Sequence, residues 1–156
     1  MTRSTTTEGK AVTLKKTFSR ETSISIRIYA QPTIIWQLLT NAGDFPRWNS
    51  TIISLSGNIE PGGKLKLVST LDPKRTFKLK VKAVESEKRL VWGDAQGNRI
   101  YTLSPQSDGS VLFSMNEKIG SPMFPLYSKY IPPFDQSFEQ FAADLKKEAE
   151  SIAKTR

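Results

Sequence analysis

Residues 77–84 read Phe77-Lys78-Leu79-Lys80-Val81-Lys82-Ala83-Val84, with a lysine at every second position of the first six. A period of two places Lys78, Lys80 and Lys82 on one face of a strand and Phe77, Leu79 and Val81 on the other. The segment therefore predicts a strand with one wet and one buried face, the mark of an antiparallel sheet covered on one side. The three lysines form a solvated face. No aromatic residues interleave with them there, as a base-stacking surface would require, so nucleic acid is not called for as a partner.

Outward from this strand the same alternation recurs in short runs: Ile52–Leu55, Leu65–Leu71, Arg89–Asp94, Arg99–Ser104 and Val111–Glu117. Their separators, among them Glu60-Pro61-Gly62-Gly63, Asp72-Pro73-Lys74 and Gln106-Ser107-Asp108-Gly109, carry turn chemistry, so neighbouring strands run antiparallel. Further toward the N-terminus, Ile24, Ile26 and Ile28 alternate with polar residues and define strand one, Phe18–Tyr29. Pro32 opens a short helix with Ile34, Ile35, Leu38 and Leu39 at helical spacing. Asp44-Phe45-Pro46-Arg47-Trp48-Asn49 follows as a helical turn pressed against it. On the C-terminal side, Gly120–Pro133 is an apolar, proline-broken segment. Phe138, Phe141, Leu145, Ala149 and Ile152 then repeat at steps of three and four, which predicts an amphipathic helix of about five turns.

Composition narrows the chemistry. With no cysteine and no histidine in 156 residues, thiolate or zinc chemistry, disulfides and the usual neutral-pH general base are excluded, and no metal or cofactor is called for. A formal charge of +8 favours acidic over cationic partners. No stretch approaches the length of a membrane span. Residues 1–16, polar and without an apolar signal core, are read as a flexible leader to a single domain spanning 17–154, with a cytoplasmic setting expected from cysteine usage.

The element order predicts an α+β fold: a curved, seven-stranded antiparallel sheet around a long C-terminal helix, with two short helices after strand one. One amphipathic helix does not fill the concavity of such a sheet. The remaining volume is either packed by side chains or left as a pocket.

Five pieces of the sequence, in order, resemble the SRPBCC superfamily, the START-like, Bet v 1-like and polyketide cyclase-like helix-grip domains. They are Ala30-Gln31-Pro32-Thr33-Ile34-Ile35-Trp36, Phe45-Pro46-Arg47-Trp48-Asn49-Ser50, Pro61-Gly62-Gly63-Lys64-Leu65, Arg89-Leu90-Val91-Trp92-Gly93 and Tyr101-Thr102-Leu103-Ser104-Pro105. The resemblance covers about Phe18 to Ala153. It implies the binding, transfer or modification of hydrophobic small molecules in an internal pocket, and no fixed catalytic set. In the last strand, composition buries Val111, Phe113 and Met115, whereas the family's register would bury Leu112, Ser114 and Asn116. Both phases stay open at the level of sequence.

The candidate pocket wall and lid comprise Trp48, Leu67, Phe77, Leu79, Trp92, Arg99, Tyr101, Phe113, Phe124, Tyr127, Phe134, Phe138 and Phe141. Trp48 with Asn49 reads first as a structural corner and second as a pocket floor. Arg99 shares the face of Tyr101 and Leu103; it reads as an exposed strand-end arginine, or else as an inward donor to a ligand carboxylate or phenolate. Glu117 and Asp94, without visible partners, read as solvated carboxylates. Met123–Tyr130 is read as a lid. The expected function is binding or carrying a small hydrophobic molecule that can bear an anionic group. The alternatives are a cyclase- or dehydratase-like enzyme using Arg99, Tyr101, Asp94 or Glu117, and a module that binds macromolecules through its basic surface.

Overall fold

A computed structural model describes residues 7–155. Strand β1 spans Val12–Lys15 and β2 Ser19–Ile28; helix α1 (Pro32–Thr40), a 3-10 turn (Ala42–Asp44) and α2 (Phe45–Trp48) follow. A six-strand run comes next: β3 Ile52–Gly57, β4 Lys64–Ser69, β5 Phe77–Glu85, β6 Arg89–Gly93, β7 Gly97–Pro105 and β8 Val111–Gly120. The chain ends in α3 (Phe124–Tyr127), a 3-10 turn (Ser128–Tyr130) and α4 (Asp135–Lys154). All eight strands form one antiparallel sheet in the order β1-β2-β8-β7-β6-β5-β4-β3.

The sheet has eight strands where the sequence predicts seven, because Val12–Lys15 lies inside the segment assigned to a flexible leader. The cause lies at the other end of the chain. The Thr13 hydroxyl donates to Asp135 at 2.8 Å and shares a hydrogen bond with the Thr22 hydroxyl, while the Ala11 amide donates to Glu139 at 3.0 Å. Polar residues with no local pattern thus gain order from partners on α4. Residues 1–6 of the expected leader lie outside the described residues.

The strand phases are set by burial. On β8 Val111, Phe113 and Met115 face the helix, with Phe113 and Met115 fully buried, so the composition-based phase holds and the register with Leu112, Ser114 and Asn116 inward does not. The physical reason is volume: three large apolar side chains fill the space beneath α4 that a leucine, a serine and an asparagine would leave partly empty. Pairing in register then places Leu103 opposite Phe113, Tyr101 opposite Met115 and Arg99 opposite Glu117.

Helix α4 buries Phe138, Phe141, Ala142, Leu145 and Ala149 against the sheet. Phe141 gathers the rings of Phe45, Trp48, Tyr101 and Phe113 at centroid distances of 5.7–6.4 Å. At its N-terminal side the corner after α2 is tied down by Asn49, which is 1% exposed. Its amide donates to the Phe141 carbonyl at 3.3 Å, and its Oδ1 accepts from the Thr51 amide and hydroxyl at 3.1 and 2.6 Å.

Truncating Asn49 takes the side-chain partner from the Thr51 amide and hydroxyl in a buried corner, so Asn49→Ala is expected to cost about 2 kcal/mol in urea denaturation. A loss below about 0.5 kcal/mol would mean that ring packing alone holds this corner.

Candidate functional site

The β4–β5 and β6–β7 turns and the segment after β8 meet around one mouth at one end of the sheet. Ser19 pairs with Gly120, Gly97 with Ile119, Gly93 with Asn98 and Phe77 with Leu67, so the β1–β2, β4–β5 and β6–β7 turns and the segment after β8 lie together. Between them is a cavity of about 200 Å³. Its sheet wall is formed by Leu67, Phe77, Leu79, Trp92, Arg99, Glu117 and Ile119. Tyr127, Tyr130, Ile131 and Pro132 close it from the lid, and Leu71, Asp72, Arg75, Asp94 and Gln96 form the rim.

The β6–β7 turn approaches its neighbours too closely for side chains. A Cβ at Gly97 would overlap the Lys118 carbonyl, and one at Gly93 would overlap the Gly97 carbonyl. Asp94 shapes the same turn by accepting from the Gln96 and Gly97 amides at 2.8 and 3.1 Å. It is therefore a turn-capping group rather than a freely solvated one.

Arg99 and Glu117 correct the sequence reading most sharply. Arg99 Nε donates to Glu117 Oε1 at 2.6 Å, and the two side chains are only 12% and 18% exposed. The arginine carbon Cζ also lies 5.0 Å from the Phe138 ring centroid. Both residues point inward because each lies two residues from a buried aromatic or methionine on its strand, Tyr101 and Met115. Burial alone would weaken proton binding by Arg99, but Glu117 and Tyr101 reverse this and hold its pKa above the usual range. Tyr101 is fully buried, and its hydroxyl has no hydrogen bond among the described residues. Desolvation pushes its pKa up to about 12, with Arg99 acting in the opposite direction.

Of the thirteen candidates, Leu67, Phe77, Leu79, Trp92, Arg99, Tyr127 and Phe134 line the cavity. Trp48, Tyr101, Phe113, Phe138 and Phe141 instead belong to the packed core, with Phe138 directly behind the cavity residues Arg99 and Phe134. Phe124 is buried beneath the lid, with Tyr127 edge-on at 5.7 Å. Sequence reasoning missed Glu117 and Ile119 as wall residues, although the phase of Phe113 and Met115 carries on to both. Rim residues Asp72 and Arg75 sit in a hairpin loop that carries no periodic signal.

The lid is anchored by an arginine that no sequence pattern singles out. Arg20 on β2 is 7% exposed, donates to the Ile131 and Pro132 carbonyls at 3.2 and 2.8 Å, and stacks over Phe134 at 4.8 Å. Burial lowers its pKa, with Asp135 and Glu117 acting against that. Beyond this anchor Met123, Leu126 and Tyr130 are exposed, as is Phe18 on the adjoining turn. No group of His, Cys, Asp and Glu that could hold a metal exists among the described residues, and none of their helices is long and apolar enough to cross a membrane.

No family model matches the sequence, and no curated protein matches it. The structure has clear relatives in shape. A START superfamily protein from Mycobacterium smegmatis aligns over 85% of this chain and 98% of its own, with a TM-score of 0.62 at 14% identity. A norcoclaurine synthase point mutant from Thalictrum, in complex with a transition-state analogue, aligns over 89% and 99%, with a TM-score of 0.65 at 13% identity. A protein from Rhodobacter sphaeroides aligns over 91% and 99%, with a TM-score of 0.66 at 18% identity. The chain has the START-like, Bet v 1-like helix-grip fold.

Two measurements probe this site. The Tyr101 proton is held more tightly in the fold than the ordinary value of 10.0, so its contribution to stability is complete below pH 10 and is lost as pH rises toward 12. Tyr101→Phe should therefore flatten the alkaline decline in urea-derived stability between pH 10 and 12, and an unchanged decline would show that other groups cause it. Separately, Arg20→Met should release the lid, so that trypsin cuts after Lys129 faster than in the wild-type protein while other sites keep their order.

Proposed function

We propose that the protein binds and carries a small hydrophobic molecule in the cavity beneath the lid. The observation behind this reading is an open volume walled by Leu67, Phe77, Leu79 and Trp92 in the half of the concavity that the Phe141 cluster leaves unfilled. Concave, mostly apolar sites with a few polar groups are the usual form of small-molecule pockets. Likeness in fold to a START superfamily protein, and to an enzyme solved with a transition-state analogue bound, supports the same reading.

The volume limits the ligand. Apolar cavities of about 150 Å³ hold benzene, so about 200 Å³ suits one ring with a small substituent better than a folded long acyl chain. An anionic group was suggested by the +8 charge of the chain, yet the one arginine deep in the wall is already paired with Glu117.

A second reading, a cyclase- or dehydratase-like enzyme, has that Arg99–Glu117 pair behind it, since a positioned cation and carboxylate can polarise a carbonyl and move a proton. Turnover of a linear polyketide thioester by the wild-type protein, abolished in Arg99→Ala, would favour it over carriage alone.

Titration with toluene, followed by two-dimensional NMR, should give saturable shifts at Leu67, Leu79 and Trp92, and Leu79→Trp should abolish them by adding bulk to the wall. Linear, unsaturated shifts spread over the surface would overturn the reading.

A further inference from the structure

The charge of the protein does not continue into its cavity. Over the whole chain Lys+Arg exceed Asp+Glu by 23 to 15. Around the cavity the balance reverses: Arg75 and Arg99 stand against Asp72, Asp94 and Glu117. Deepest in the wall, Arg99 and Glu117 form a neutral unit at 2.6 Å, largely withdrawn from water. A carboxylate entering beside this pair would meet Glu117 as a like charge, or would have to displace it and leave a buried carboxylate without its partner. Either outcome is costly in a low-dielectric site.

The pair does leave donors available. Glu117 occupies Arg99 Nε, and the two terminal amino groups of the guanidinium make no hydrogen bond among the described residues. Tyr101, behind them in the packed core, does not line the cavity and offers it no donor. A site with unpaired donors and no net positive charge is matched by a neutral acceptor.

We propose that the cavity selects an uncharged, ring-sized molecule bearing a carbonyl or equivalent acceptor, received by the terminal amino groups of Arg99, and that Glu117 is the specificity residue that excludes anions. This rests on the cavity being a binding site. It reverses the expectation drawn from net charge, because the lysines and arginines that give the chain its +8 lie mostly outside the wall.

The test uses three probes of equal ring size, acetophenone, benzoate and benzylammonium, titrated at neutral pH by two-dimensional NMR. Wild-type protein should bind acetophenone roughly tenfold more tightly than benzoate or benzylammonium, the scale of one hydrogen bond to a charged group. Glu117→Gln, checked for folding by its thermal melt, should leave the Arg99 charge uncompensated. Benzoate should then bind on the order of tenfold more tightly than to wild type, with acetophenone changed by less than about threefold. The inference is overturned if wild type binds benzoate or benzylammonium as tightly as acetophenone, or if Glu117→Gln folds and leaves benzoate binding unchanged. Should the variant fail to fold, the ranking of the three probes on wild type still decides. Absence of saturable binding by toluene as well as by all three probes would overturn the carrier reading itself, which separates the two failures.

Discussion

The Phe141 ring fixes where this molecule is solid and where it is hollow. It lies 1% exposed on the inner face of α4 and draws together rings from α2, β7 and β8. Aromatic side chains bury about 150–250 Å² each, so this cluster alone accounts for much of the apolar burial that holds the helix to the sheet. It packs one half of the concavity. The half beyond it, toward the start of α4, is spanned by smaller or more peripheral groups, and the cavity is what remains. Site and core are therefore not two designs but the two ends of one packing problem.

A second constraint is the pairing of β2 with β8, ten residues in continuous register. It brings a strand near the start of the chain beside the last strand, and through Arg20 it reaches the carbonyls that end the lid. The lid is thus held by an element distant in sequence. Its outer surface, with Leu126 and Tyr130 in solvent, has no comparable restraint among the described residues.

Sequence patterns carried the fold where burial is periodic. The isoleucines of β2, the spacing of Ile34, Ile35, Leu38 and Leu39 in α1 and the phenylalanines of α4 each report one buried face without help from elsewhere. They failed where order comes from remote polar partners: Val12–Lys15 is held as a strand with Asp135 and Glu139 receiving hydrogen bonds from Thr13 and the adjoining Ala11. The candidate site was partly legible for the same reason. Apolar wall residues such as Leu79 and Trp92 follow from alternation, but the Arg99–Glu117 pair depends on the register between β7 and β8, which composition does not determine. Its components were nonetheless in phase with Tyr101 and Met115, so extending the two-residue period by one step on each strand would have turned both side chains inward. The split between Trp92, which faces the cavity, and Tyr101, which is core, lies in three-dimensional packing and has no trace in the sequence.

The β6–β7 turn shows what this arrangement means for change over generations. Gly93 and Gly97 are locked by backbone crowding, and the Phe141 cluster is locked by volume, yet apart from Asp94, which caps the turn, the mouth is built from separate loops. Substitutions at Leu71, Tyr127 or Ile131 can therefore alter what the mouth admits while leaving the parts that keep the chain folded intact. Selection can act on ligand choice and on persistence of the fold almost independently, which makes this scaffold readily retuned from one small molecule to another.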